Sequence, residues 1–109
     1  MKKTILIDLD GVLNKYTGNF EPEVIPQMNN GAYKFLEKLH EKFEIKLFTT
    51  RNKLLAAKWI ISNNLDEFVS DITIVKDPAW LIIDDRCINF RGDYEDTLNK
   101  IEHFNVWYK

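Results

Sequence analysis

A short apolar run at residues 5–7 leads directly into two carboxylates, Asp8 and Asp10. An uninterrupted apolar run of this length is typical of a strand that is covered on both faces, as in a parallel sheet. Carboxylates are rarely buried without a partner. Either the strand ends here and the two acids stabilise a turn, or they belong to a site, and the polar residues that end the other strands decide between these readings.

Helical patterns recur along the rest of the chain. Apolar residues at helical spacing predict a helix over 31–43, and Asn52 is expected to cap a second helix over 53–64. A third helix is expected to begin after Asp93 and to turn three side chains toward the core, namely Leu98, Ile101 and Phe104.

Apolar strands are predicted between these helices, at 44–50, 72–75 and 80–84, with a fifth at 88–90. Strands that alternate with helices indicate an α/β fold. We expect a three-layer, Rossmann-like arrangement in which a central parallel sheet of four to five strands has helices on both faces. A long loop at 14–30 follows the first strand.

Size and composition narrow the function classes. The 109 residues suit a single domain spanning 1–109, and 45% of them are hydrophobic, which is sufficient for one core. A net charge of −2 gives no electrostatic signal for nucleic acid. No run reaches the ~18 apolar residues of a membrane span. Because Cys87 is the only cysteine, no disulfide pair is available, and we expect a cytoplasmic protein.

Polar side chains follow every predicted strand at the edge where ligands bind in open parallel sheets. Singly, such residues are more often turn formers, cap neighbours or solvated charges. Several carboxylates together stay ionised near neutrality only around a cation, and their oxygens suit Mg²⁺. The residues at this edge are Asp8, Asp10, Thr49, Thr50, Arg51, Lys76, Asp84, Asp85 and Arg86.

Four stretches resemble, in order, the motifs of the haloacid dehalogenase superfamily, whose members are mostly phosphatases. They are DLDGV at 8–12, LFTTR at 47–51, the lysine of VKDPAW at 76, and LIIDDR at 81–86. The resemblance covers about residues 4–92. It implies an Mg²⁺-dependent phosphatase that hydrolyses a phosphomonoester through an aspartyl-phosphate intermediate.

The resemblance also implies roles for individual residues. Asp8 would be the nucleophile, and Asp10 would be the general acid and then the general base. Thr49 would donate a hydrogen bond to a phosphoryl oxygen. Lys76 would neutralise Asp8 and the charge on the transferring group.

The metal and substrate contacts follow the same resemblance. Mg²⁺ would be held by Asp8, Asp84 and the backbone carbonyl of Asp10, while Asp85 would act through a water or support the ligands. Four further residues are expected at the substrate, where the arginines would grip a second anionic group. These residues are Gly11, Thr50, Arg51 and Arg86.

Neither position at which the superfamily inserts a cap domain has room for one, so the chain resembles a small capless member. Either the 14–30 loop or a neighbouring subunit of a homo-oligomer would close the site. The substrate is then a phosphorylated small molecule or a phosphorylated polymer end. One alternative is a receiver-type phosphoacceptor, although the acidic pair of such domains lies on the first strand. The other is a non-catalytic binding module of the same fold.

Overall fold

The computed structural model describes residues 1–108, in which a four-stranded parallel sheet is flanked by helices. The α/β class and the parallel sheet predicted from the sequence are thereby confirmed. The strands lie in the order β3-β2-β1-β4. The elements are β1 (Lys3–Asp8), α1 (Ala32–His40), β2 (Phe43–Phe48), α2 (Lys53–Ser62), β3 (Val69–Thr73), β4 (Leu81–Ile83) and α3 (Tyr94–Glu102).

The core lies between the sheet and the first two helices. Ile5 and Ile7 of β1 stand opposite Ile45 and Leu47 of β2, so alternate residues of both strands share one face. This face belongs to the same buried cluster as the inner sides of α1 and α2. Leu6 points to the opposite face and is also fully buried, which explains why the run at 5–7 is apolar without alternation.

Two strand predictions differ from the structure. The third strand ends at Thr73, and the following Ile74 and Val75 are 59% and 58% exposed. Residues 88–90 form no strand. A short apolar run indicates burial only when a neighbouring strand is available to pair with it, and Phe90 is itself half exposed.

Helix α3 begins where the sequence places it but does not bury its apolar face. Asp93 is the N-cap and accepts hydrogen bonds from the backbone N–H groups of Glu95 and Asp96. The expectation that its apolar side chains reach the core is wrong, because they are 39–57% exposed: Leu98, Ile101 and Phe104. Helical spacing reveals that an apolar face exists, not what covers it.

The segment 14–30 contains no helix or extended strand, as its proline and asparagine content predicts. Backbone hydrogen bonds hold its two ends together, from Lys15 N to Gln27 O and from Asn29 N to Leu13 O, both 2.8 Å long. Trp59 of α2 donates its Nε1–H to Pro26 O at 3.1 Å. The loop is therefore anchored to the body of the domain.

The longest helix, α2, has 10 residues, whereas about 20 apolar residues are needed to cross the hydrocarbon core. No helix among residues 1–108 has the length and apolar character of a membrane span.

Candidate active site

A cavity of about 440 Å³ opens at the carboxyl ends of β1, β2 and β4. Its position agrees with the general rule for ligand sites in open parallel sheets. Acids, hydroxyl groups, one arginine and three aromatic rings form its walls. The lining residues are Asp8, Asp10, Tyr16, Phe20, Phe48, Thr49, Thr50, Asp84 and Arg86.

Three carboxylates meet beside this cavity. Asp8 is the last residue of β1, and Asp84 and Asp85 directly follow β4, whose Ile83 pairs with Ile7. Each of the three acids offers one oxygen, and these oxygens all lie within 4.8 Å of one another. The acids at the ends of the first and fourth predicted strands therefore do come together.

Asp8 is the acid most affected by this arrangement. Burial raises its pKa from 3.8 to about 8, with further contributions from a hydrogen bond shared with Asp85 and from the negative charges of Asp84, Asp85 and Asp10. Without a cation, Asp8 holds a proton near neutrality because burial, and after it the neighbouring anions, disfavour its charged form.

Asp85 is the member of the cluster that also contacts Tyr108. Burial alone would raise its pKa, but hydrogen bonds from Asp8 and Tyr108 outweigh burial and lower it. Tyr108 donates its hydroxyl hydrogen to Asp85 Oδ2 at 2.8 Å. The other oxygen, Oδ1, is buried and has no hydrogen-bond partner among the described residues. Ionised carboxylates are acceptors only, so Oδ1 is free to accept a proton from Asp8 or to bind a cation. A hard cation such as Mg²⁺ fits this donor set.

We predict that the metal-free protein becomes less stable as the pH rises from about 4 to about 8. Asp8 is protonated below pH 3.8 in both the folded and the unfolded state, and above that pH the folded state holds the proton more tightly. The stabilisation is therefore lost as the pH passes the folded-state pKa of about 8. The lowered pKa of Asp85 changes the stability only below pH 3.8, outside this pH range.

Solvent screening of the partly exposed Asp8 leaves an expected loss of about 1–2 kcal/mol. Urea unfolding in EDTA at pH 5 and pH 8 measures it, with Asp8→Asn as the comparison because this variant lacks the titrating group. Titrating groups that do not interact with Asp8 cancel between the two proteins. Equal losses in wild type and Asp8→Asn would contradict the prediction.

Asp10 is held away from the three-carboxylate cluster. Arg51 donates from Nε to Asp10 Oδ2 at 2.9 Å and from Nη2 to Oδ1 at 3.1 Å. Asn14 adds a third hydrogen bond from Nδ2 to Oδ1 at 3.0 Å. The side chain of Asp10 lines the cavity but is not a member of the cluster. Only its backbone carbonyl is then left for the metal role that the sequence suggests.

Arg51 forms its hydrogen bonds within the protein and is not free to bind a substrate. It is only 2% exposed, and besides the fork to Asp10 its Nη1 donates to the carbonyl of Glu21 at 2.7 Å. The ring of Phe20 lies 4.5 Å from the guanidinium carbon. The sequence placed Arg51 against the substrate, whereas the structure makes it the link between Asp10 and the 14–30 loop.

Asn14 shapes the turn that carries the acids, and sequence reasoning missed it. It is fully buried, and its Oδ1 accepts hydrogen bonds from the backbone N–H groups of Gly11 and Tyr16 at 3.2 and 3.1 Å. An asparagine just after a strand is the signal that would have identified it. Gly11 has φ +83°, and a Cβ there would collide with Asp85 Oδ2. The sharp path expected at Gly11 is therefore present, and it allows Asp85 to approach.

Thr49 and Thr50 both line the cavity at the end of β2. Thr49 is 3% exposed, and its Oγ1 accepts the backbone N–H of Arg51 at 3.1 Å. That acceptor role leaves the hydroxyl hydrogen of Thr49 available for a ligand. Thr50 is exposed and offers a second hydroxyl group.

The two remaining cations lie in different places. Lys76 belongs to the segment that follows β3, is exposed, and is not among the residues that line the cavity. Arg86 does line it, and its backbone N–H donates to Asp84 Oδ1 at 3.0 Å. The structure therefore brings Arg86 to the cavity wall, whereas Lys76 is exposed on the segment that follows β3.

Comparison with known proteins supports the fold. No family model matches the chain, and no curated protein matches it. In three dimensions the chain is similar to a conserved protein from Bacteroides thetaiotaomicron, with a TM-score of 0.62 over 94% of this chain and 92% of that chain. The two sequences are 21% identical. At that identity the likeness concerns the α/β fold alone.

Proposed function

We propose that the protein is a Mg²⁺-dependent phosphatase that hydrolyses a phosphomonoester through an aspartyl phosphate on Asp8. One observation carries the proposal: Asp8 ends β1 at a cavity that Asp10 and Asp84 also line, and it meets Asp84 and Asp85 in one cluster of carboxylates. A nucleophile, a separate proton carrier and a cation-binding group are what phosphoryl transfer to water requires.

In the first step a carboxylate oxygen of Asp8 attacks phosphorus, and the ester bond to the leaving oxygen breaks. Asp10 gives a proton to that oxygen, which leaves as an alcohol. The Thr49 hydroxyl hydrogen and the Arg86 guanidinium are donors for the phosphoryl oxygens, since both residues line the cavity.

In the second step water attacks phosphorus and releases the Asp8 carboxylate. Asp10 takes the proton of this water and returns to its acid form for the next turnover. The fork from Arg51 and the hydrogen bond from Asn14 fix the position of Asp10. Effective acid–base catalysis depends on such placement, because a misplacement of about 1 Å can cost about 10²-fold in rate.

Asp8, Asp84 and Asp85 would hold the metal ion. Bound Mg²⁺ would neutralise these carboxylates and polarise the phosphoryl group. An ionised Asp8 is the form that can attack. Burial and anionic neighbours raise its pKa to about 8, so a neighbouring cation would favour the ionised form near neutrality.

The substrate class stays broad in this proposal. Tyr16, Phe20 and Phe48 give the cavity apolar walls suited to the organic part of a phosphorylated small molecule or polymer end. The 14–30 loop, which supplies two of these rings, takes the place of a cap. We also propose a cytoplasmic location, since the free thiol of Cys87 is exposed and suits a reducing compartment.

The test is release of inorganic phosphate from p-nitrophenyl phosphate and a panel of phosphorylated metabolites, nucleotides and nucleic-acid ends. We expect turnover with Mg²⁺, loss of at least about 10²-fold with EDTA, and recovery when Mg²⁺ is restored. Turnover that is unchanged in EDTA would contradict the metal assignment. No turnover on any substrate would contradict the enzymatic one.

A non-catalytic module that binds a phosphorylated ligand is the second candidate. The position of Lys76 favours it, because the lysine expected to balance the phosphoryl charge does not line the cavity. Such a module would bind Mg²⁺ together with a phosphorylated compound and release no phosphate. The same panel, followed by calorimetry, separates the two candidates.

A further inference from the structure

The last described residues of the chain lie against the turn that follows β1. Trp107 donates its Nε1–H to the carbonyl oxygen of Gly11 at 2.6 Å, across 96 positions of sequence. Tyr108 donates its hydroxyl hydrogen to Asp85 Oδ2 at 2.8 Å. The two aromatic side chains thus contact both acidic segments of the site.

Packing holds this aromatic pair in place. The rings of Tyr16 and Tyr108 meet edge to face with centroids 5.9 Å apart, and those of Trp107 and Tyr108 do so at 5.6 Å. Gly11 has no side chain, so Tyr108 can approach its backbone, where a Cβ would lie 3.0 Å from the ring. The contact is thus built from complementary shape as well as from hydrogen bonds.

We propose that Tyr108 is a positioning residue for the metal site. By occupying Oδ2 of Asp85 it fixes the carboxylate plane and leaves the buried, unpartnered Oδ1 as the free ligand atom. Trp107 anchors the chain that carries Tyr108 through its bond to Gly11. This inference rests on the proposed function for the identity of the ion.

The contribution of such positioning residues to metal affinity has a typical size. Groups that hydrogen-bond to metal ligands contribute about 10–100-fold to metal affinity, because a fixed ligand loses less conformational freedom on binding. The hydroxyl of Tyr108 meets this description, since it donates to Oδ2 of Asp85 while Oδ1 of the same carboxylate is left for the ion. Tyr108 is not among the residues that line the cavity. Its removal should therefore weaken Mg²⁺ binding and leave the chemical step almost unchanged once the ion is bound.

The experiment compares Tyr108→Phe with wild type by calorimetric titration with MgCl₂ and no substrate. We expect an Mg²⁺ dissociation constant about 10-fold higher, and a smaller rise in Tm at a fixed Mg²⁺ concentration. At saturating Mg²⁺ the kcat should return to within about threefold of wild type. Tyr94→Phe is the matched control, because Tyr94 is 77% exposed and belongs neither to the cavity lining nor to the carboxylate cluster.

Trp107→Phe tests the anchor separately, since it removes the donor to Gly11 and keeps an aromatic ring. It should weaken Mg²⁺ binding in the same direction as Tyr108→Phe. Wild-type Mg²⁺ affinity in Tyr108→Phe would overturn the inference while the phosphatase proposal stands. Weakened Mg²⁺ binding in a protein that never hydrolyses a phosphomonoester would leave the inference intact and refute the phosphatase proposal.

Discussion

Asp8→Asn is expected to lower kcat/KM for phosphomonoester hydrolysis by at least about 10³-fold, to the background of the assay. The asparagine amide has nearly the shape of the carboxyl group but cannot form the aspartyl phosphate, so the two-step route is lost. Steady-state release of phosphate at saturating Mg²⁺ measures the effect.

The fold should survive this change. Burial and anionic neighbours raise the pKa of Asp8, so the site of the metal-free protein favours an uncharged side chain, and asparagine supplies one. We therefore expect an unchanged circular dichroism spectrum and a Tm no lower than that of wild type. Asp66→Asn, at an exposed position, is the control and should keep full activity. Substantial activity in Asp8→Asn would remove Asp8 from the role of nucleophile.

Arg51→Met is expected to cause the largest loss of stability among single substitutions at the site. The guanidinium is buried, makes the fork to Asp10 and donates to Glu21 O. Removing one partner of a buried ion pair costs about 3–5 kcal/mol, and the partial exposure of Asp10 reduces this to about 2–4 kcal/mol. Tm should therefore fall by about 10 °C or more.

Urea unfolding measures this loss, and Arg91→Met is the matched control because Arg91 is exposed. Limited proteolysis should also cut the 14–30 loop faster, since Arg51 ties that loop to Asp10 through Glu21 O. In the double variant with Asp10→Asn the stability should partly recover, because no carboxylate is left unpaired. Equal urea midpoints for Arg51→Met and Arg91→Met would show that the hydrogen bonds of Arg51 to Asp10 and Glu21 O contribute nothing to stability.

Much of the site follows from one rule about parallel sheets. Because all strands run the same way, their final residues share an edge, and the sequence therefore predicts that Asp8, Thr49 and Asp84 lie together. Asp8 ends β1, Thr49 follows β2 and Asp84 follows β4, and all three line one cavity. The rule does not reach Lys76, because β3 ends at Thr73 and the lysine lies in the exposed connection beyond it.

Other parts of the site depend on contacts between residues distant in sequence. Arg51 reaches Asp10 across 41 positions, and Tyr108 reaches Asp85 across 23. Neither contact leaves a periodic pattern, and the residues near 105–109 could not be assigned from the sequence. The wrong prediction for the apolar face of α3 has the same cause. Amphipathic spacing can be read from the local sequence, but whether another element covers that face cannot.

Chemical trapping of the intermediate tests the central claim most directly. The protein is mixed with Mg²⁺ and a hydrolysed phosphomonoester, quenched, and treated with borohydride, which reduces an acyl phosphate to an alcohol. Peptide mass spectrometry then locates the reduced residue. The proposed mechanism predicts reduction at Asp8 and none in Asp8→Asn. With p-nitrophenyl phosphate, whose leaving group departs without a proton, Asp10→Asn lacks only the base of the second step and should show more reduction at Asp8. Phosphate release by a protein that shows no reduced Asp8 under these conditions would contradict the mechanism.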